Sequence, residues 1–174
     1  MKILAFAGSN SKHSINKKLA NYAAHLFKES EVNLIDLNDF PLPLFSVDIE
    51  KVVGFPKEAE AFLKKIEEAD FIVLSLAENN ASYNVGFKNV FDWASRKAKK
   101  VFQDKPMLLM ATSPGERGGT SVLEFATKTL PYYGANIKAT FSLPKFDENF
   151  DEEKGIINEE LKQQLLNQIK HARS

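Results

Sequence analysis

No metal-ligand or nucleophile motif occurs in this sequence. It has no cysteine and three histidines, His13, His25 and His171, none at a spacing that pairs metal ligands on a helix face. What the chain concentrates instead is Gly, Ser and Asn, in three short stretches: GSNSKHSIN at 8–16, ENNASYN at 78–84 and SPGERGG at 113–119. These residues supply hydroxyl and amide hydrogen bonds, and glycine lets backbone N–H groups approach a ligand closely. Such a set suits holding a polar or anionic small molecule better than attacking one.

The first stretch follows a short apolar run, KILAF, and precedes a segment with helical spacing. A helix N-terminus carries free N–H groups and about half a positive charge, so a phosphate fits there, with Ser9, Ser11, Ser14 and Asn16 in reach. Ser14 is equally suited to being a plain N-cap. The stretch lacks G-x-G-x-x-G and G-x-x-x-x-G-K-[ST], which speaks against classical dinucleotide or ATP recognition. A hydrolase would want a G-x-S-x-G elbow, and none occurs. A receiver domain would want an aspartate ending the third strand, where this chain has Ser75-Leu76-Ala77.

These loops must be positioned by regular elements. Five apolar runs read as buried strands, at 3–7, 32–37, 71–77, 107–112 and 137–143. Between them, helical faces are formed by Leu19, Tyr22, Ala23 and Leu26; by Ala59, Phe62, Leu63 and Ile66; by Val90, Trp93 and Ala94; and by Val122, Phe125, Ala126 and Leu130. Leu161, Leu165 and Ile169 make a last one. Alternating strands and helices predict an α/β three-layer sandwich of flavodoxin-like type, its five-stranded parallel sheet in the order 2-1-3-4-5. The 174 residues suit one such domain, able to bury roughly 70% of its unfolded surface. In that topology the order reverses between strands 1 and 3, where the first two Gly/Ser/Asn stretches leave the carboxyl edge, with the third, after strand 4, beside them. Residues 38–56, with their prolines, read as irregular, and the acidic stretch 147–154 as a solvated loop.

The same stretches resemble the NADPH-dependent FMN reductase family. Its opening pattern, roughly G-S-x-R-x-x-S-x-N, matches Gly8, Ser9, Ser14 and Asn16. A second, P-E-Y-N-x-S-x-P-G-x-L-K-N-x-x-D-W, aligns without gaps to AENNASYNVGFKNVFDW and shares Glu78, Asn80, Ser82, Lys88, Asn89, Asp92 and Trp93. A third, S-x-G-x-x-G-G, matches Ser113, Gly115, Gly118 and Gly119. The resemblance implies that Ser9, Ser14, Ile15 and Asn16 hold the phosphate of FMN, and the hydroxyl of Ser11 in the same loop is counted with them. It implies that Glu78, Asn80 and Ser82, with the backbone at Asn79 and Ala81, line the ribityl chain and ring, and that Ser113, Gly115 and Gly118 border the ring. The chain departs from the family at Ser11, where the pattern has arginine, at Asn79, where it has tyrosine, and at Asn84-Val85, where it has Pro-Gly. Lys12 or His13 could stand in for the arginine, and Asn84 can still cap a helix.

The function so implied is an FMN-dependent NAD(P)H oxidoreductase reducing flavin, quinone or a similar small acceptor, with no catalytic side chain required because the cofactor carries the chemistry. The alternative is a non-enzymatic flavodoxin-type electron carrier or a flavin-binding sensor. Lysine plus arginine equals aspartate plus glutamate, 23 each. That balance disfavours nucleic acid as a partner, and also an acidic electron carrier. Nothing approaches the ~20 apolar residues of a membrane span, so a cytoplasmic protein is expected, and the family resemblance implies a homodimer or homotetramer with 38–56 as a contact. The basic run Arg96-Lys97-Ala98-Lys99-Lys100 could attract a 2′-phosphate, but a basic helix end complementing the helix dipole is the preferred reading. Trp93 is expected in the core rather than on a ligand.

Overall fold

The computed structural model describes residues 1–173. Its sheet contains β1 (Lys2–Gly8), β2 (Glu31–Leu34), β3 (Phe71–Leu76), β4 (Pro106–Thr112) and β5 (Asn136–Leu143), all parallel, in the order β2-β1-β3-β4-β5. The anticipated topology is therefore present. Because side chains alternate along a strand, successive residues feed opposite faces. Leu4 and Phe6 of β1 join one core with Phe62 and Ile66 of α2 (Lys57–Glu68), Phe87 and Val90 of α3 (Val85–Lys97), and Val122 and Ala126 of α4 (Thr120–Thr129). Ile3 and Ala5 join the other, with Leu19 and Ala23 of α1 (Ile15–His25) and Leu165 and Ile169 of α5 (Glu159–Ala172). Both faces of β3 are covered, so all its residues are buried. Each fully buried Leu, Ile or Phe contributes about 1.5–3 kcal/mol.

Four expectations need correction. The second strand stops at Leu34 instead of 37, because the Asp36 side chain accepts from Asn38 N–H and starts a 3₁₀ turn at Leu37–Asp39. Residues 38–56 are not irregular throughout. Ser46 caps a helix at Val47–Val53 by accepting from Ile49 N–H, and the prolines fall outside it. The acidic stretch 147–154 is built rather than loose. A helical turn at Phe146–Asn149 leads into a hairpin pairing Phe150–Asp151 with Gly155–Ile156. Phe150 packs between Phe146 and Tyr22, at 4.6 and 5.7 Å between ring centroids. Phe125, placed on the inner face by its spacing, is 47% exposed.

Trp93 is fully buried, and its indole N–H donates to Pro43 O at 2.7 Å. One turn away, Asn89 accepts from Phe45 N–H (2.8 Å) and donates to Pro43 O (3.1 Å). Together they pin the segment after β2 onto α3.

Candidate functional site

The buried polar side chains of the described residues are Ser9, Ser14, Asn16, Ser75 and Thr112, and all lie toward the carboxyl end of the sheet. Their grouping follows from the topology, since α1 starts against β3 and β4 and must satisfy whatever polar groups those strands present. Asn16 does most of this. Its Oδ1 accepts from Ser75 Oγ (2.7 Å) and from Thr112 N–H (3.0 Å), while Nδ2 donates to Thr112 O (3.1 Å). Thr112 Oγ1 in turn donates to Leu143 O at 2.7 Å. The Asn16 amide is thus turned inward as a brace, and what it offers a ligand is its backbone N–H.

Above this network lies a cavity of about 240 Å³. Of the residues singled out in the sequence, Ser9, Ser11, Ser14, Ile15, Asn16, Glu78, Asn79 and Ser113 line it. Wider hollows of about 350 and 330 Å³ lie elsewhere, between α1 and the 150–156 hairpin and between residues 37–44 and α3, but neither gathers the three loops.

The serines are arranged alike. Ser9 Oγ accepts from Ser11 N–H (3.1 Å), Ser11 Oγ from His13 N–H (3.3 Å) and Ser14 Oγ from Lys17 N–H (3.2 Å). Each hydroxyl spends one lone pair on the loop and keeps its O–H to donate. Ser14 is therefore the N-cap of α1, and capping leaves it able to bind a ligand as well. In the first helical turn the N–H groups of Ile15 and Asn16 have no acceptor within the helix. The only acidic residue of the lining, Glu78, has Oε2 engaged by Val122 N–H at 2.9 Å, at the start of α4, where the N-cap Gly119 has no side chain to do so. Hydroxyl and amide donors at a helix N-terminus form a donor set that fits a phosphate ester. The charge usually supplied by arginine is missing; His13 lines the cavity and Lys12 does not.

The remaining expected contacts do not line this space. Asn80, Ala81 and Ser82 form the exposed end of a hairpin pairing Glu78–Asn79 with Ser82–Tyr83. Gly115 is exposed, and its carbonyl accepts from Lys145 N–H at 2.9 Å. Gly118 is buried against β5. A Cβ there would stand 2.4 Å from Ser142 Oγ and 2.8 Å from Pro144 N, which explains a glycine without any ligand. The structure adds Ala77, Asn84, Thr112 and Pro114 to the lining. Thr112 carried a signal, a hydroxyl ending the apolar run MLLMA, while Asn84 had been given only its capping role.

The basic run is occupied by acidic partners. Arg96 Nε meets Glu50 Oε1 at 2.8 Å, Lys97 pairs with Glu60, and Lys100 meets Asp104 at 2.8 Å. Glu60 is held below its usual range, first by the Lys97 hydrogen bond and then by its charge. Burial pushes the Tyr83 phenol up, against a smaller opposing effect of its Thr129 hydrogen bond. Among the described residues no helix is long and apolar enough to cross a membrane.

A family model for NADPH-dependent FMN reductase matches residues 1–148. The chain is 35% identical over 173 residues to an NADPH:quinone oxidoreductase of Arabidopsis thaliana, covering 95% of this chain and 86% of that one. It is 32% identical over 120 residues to a quinone reductase of Escherichia coli strain K12, covering 68% of this chain and 63% of that one. Among solved structures, FerB, a flavoenzyme NAD(P)H:(acceptor) oxidoreductase from Paracoccus denitrificans, superposes with a TM-score of 0.77 at 24% identity, covering 98% of this chain and 94% of that one. The likeness to FerB bears on the fold alone.

Proposed function

Because the chain belongs to the NADPH-dependent FMN reductase family, we propose that it is an oxidoreductase that uses NAD(P)H to reduce a quinone or similar small acceptor, with FMN as its cofactor. The observation that carries this is the arrangement of the first loop. Three serine hydroxyls, each polarised by a local N–H, and the open N–H groups at the start of α1 face one cavity. When bound, FMN supplies hydride acceptance and delivery of electrons to the acceptor. The protein supplies binding and orientation. Ser9, Ser11, Ser14 and the N–H groups of Ile15 and Asn16 would hold the phosphate, and Asn16, through Thr112 and Ser75, would keep that cradle rigid. Glu78, Asn80 and Ser82, with the backbone at Asn79 and Ala81, would face the ribityl chain and ring from the hairpin, with Ser113 and Gly115 opposite. Gly118 would shape the third loop from behind. A quinone as acceptor is supported by the relatives' names, and an NAD(P)H-fed reaction suits the cytoplasm.

A second copy of the chain would sit on the segment after β2. The helix at Val47–Val53 buries none of its residues, and Leu44, Val52 and Val85 are 72%, 82% and 61% exposed. An apolar surface of this kind marks an interaction site. Light scattering on the purified protein should give a dimer or larger, and Val52→Glu should shift it toward monomer.

The test of the main reading is a visible spectrum after adding FMN and removing the excess. Retained flavin absorption that bleaches anaerobically with NADPH supports the reductase. Retained absorption that NADPH leaves unchanged favours the carrier or sensor. A colourless protein overturns the cofactor assignment.

A further inference from the structure

The hairpin at 78–83 is tied down on two sides. Toward α4, Val122 N–H donates to Glu78 Oε2, and the Tyr83 hydroxyl pairs with Thr129 Oγ1 at 3.0 Å. Toward α3, Asn84 Nδ2 donates to Asn79 Oδ1 at 2.9 Å. The same Asn84 side chain uses its oxygen twice, accepting from Gly86 N–H (2.9 Å) and from Asn10 N–H (3.3 Å). Asn10 is itself restrained. Its carbonyl accepts from Asn38 Nδ2 at 3.2 Å, and it lies so close to α3 that a Cβ on Gly86 would stand 2.6 Å from its own Cβ. Beyond Asn38 the chain of contacts ends in Asp36 and its ion pair with Lys17. One row of polar side chains therefore crosses the carboxyl edge of the sheet and joins the first loop to the hairpin. Asn84 is the only member bonded to both.

At the far end of the hairpin, Asn80 and Ala81 sit at φ 50° and 60°, in the left-handed region. Asparagine tolerates that region, but alanine does not favour it. The surroundings must hold such a turn in place. The tethers at Glu78, Asn79 and Tyr83 do so.

We propose that Asn84 is a positioning residue. Bonded at once to Asn10, Gly86 and Asn79, it sets the spacing between the first loop and the hairpin, and so how closely the two grip FMN. The proposal rests on the FMN reading above, but the clasp itself is a property of the protein without ligand. An exposed amide pair adds little by itself, because water competes for both partners. Here both partners are already restrained by other contacts, so the bond fixes a distance rather than ordering two free side chains.

The test uses the full chain with two substitutions. Asn79→Ala removes the bond on the hairpin side alone. Asn84→Ser keeps a good N-cap for α3 but is too short to reach Asn79 or Asn10. Affinity for FMN is read by quenching of flavin fluorescence, and hairpin opening by amide hydrogen exchange at 79–83 without flavin. Each single variant should bind FMN about fivefold more weakly. The double variant should be no weaker than Asn84→Ser, as two changes to one interaction are not additive. Hairpin amides should exchange faster in both, and those of α3 beyond its first turn should not. Full additivity, or an unchanged affinity in Asn79→Ala, would overturn the proposal. If the wild type itself binds no FMN, the cofactor reading fails, and exchange alone then judges the clasp: unchanged protection of 79–83 overturns it.

Discussion

The two sides of the cavity are built on opposite plans. On the α1 side, Asn16, Ser75 and Thr112 are 2%, 0% and 1% exposed, and their hydrogen bonds close on one another and on the backbone. On the hairpin side, Asn79, Asn80, Ala81 and Ser82 are exposed, and the turn is held by tethers at its base. A buried polar network is rigid because any break leaves a group unpaired without water to replace the partner. An exposed tether can break and re-form against solvent at small cost. The phosphate side is thus the fixed reference, and the ring side is where geometry can be tuned.

The comparison breaks most clearly at Asn16. Asn16→Leu would leave Thr112 N–H, Thr112 O and Ser75 Oγ without their partner inside the protein. We expect a loss of about 3 kcal/mol, and a Tm drop of roughly 6–12 °C for a chain of this size. Urea unfolding checks it; a loss below about 1 kcal/mol would mean that the network is not the rigid half.

On the hairpin side the expected effects are smaller. Glu78→Ala removes the carboxylate from the start of α4, where Gly119 offers no replacement. A cost of about 1 kcal/mol follows from the lost cap and helix-dipole interaction. Glu78→Gln should recover part of it, since the amide oxygen still accepts from Val122 N–H. Equal losses in the two variants would show that charge alone acts there.

Ala81→Gly should move stability the other way. Glycine adopts φ near 60° without the clash that alanine suffers, although it also frees the unfolded chain. The net expectation is a gain of about 0.5 kcal/mol in thermal or urea unfolding. A loss would mean that the turn is not strained.

How much of this could be read from the residues depends on the scale of the pattern. Strand order was readable because β3 and β4 are continuous apolar runs that need cover on both faces, and the loops leaving them are rich in Gly, Ser and Asn. The cradle was readable at the level of residue type. What stayed hidden was direction. Nothing in a string of letters says that the Asn16 amide turns inward, that Gly118 is required by β5, or that Asn79 and Asn84 are bonded. Those facts depend on contacts between residues far apart in the chain, such as Asn16 with Thr112. Short elements were hidden for another reason. The helix at Val47–Val53 and the 150–156 hairpin are each too short for a period to stand out, and their signals, Ser46 and Gly155, are single residues.

An effect of the same small size is expected at the far end of the row through Asn84. Lys17 Nζ lies 2.5 Å from Asp36 Oδ2, with 32% and 19% of the two side chains exposed. Burial alone would push the Asp36 carboxyl up, but the hydrogen bond from Lys17, the N–H and amide of Asn38 and the Lys17 charge together hold it below its ordinary 3.8. The folded state therefore binds this proton less readily than the unfolded chain. The stability so gained is complete above the unfolded value and is lost as pH falls through the folded one. Wild type should exceed Asp36→Asn by about 0.5 kcal/mol at neutral pH, a modest figure because the pair is partly solvated. Urea unfolding should show that difference steady down to about pH 5 and shrinking below about pH 4. A difference that stays the same at every pH at which the protein is folded would mean that the carboxylate charge is not what holds this end. The row would then lean on the Asn38 hydrogen bonds alone, and its anchor would resemble the exposed hairpin tether more than the buried brace.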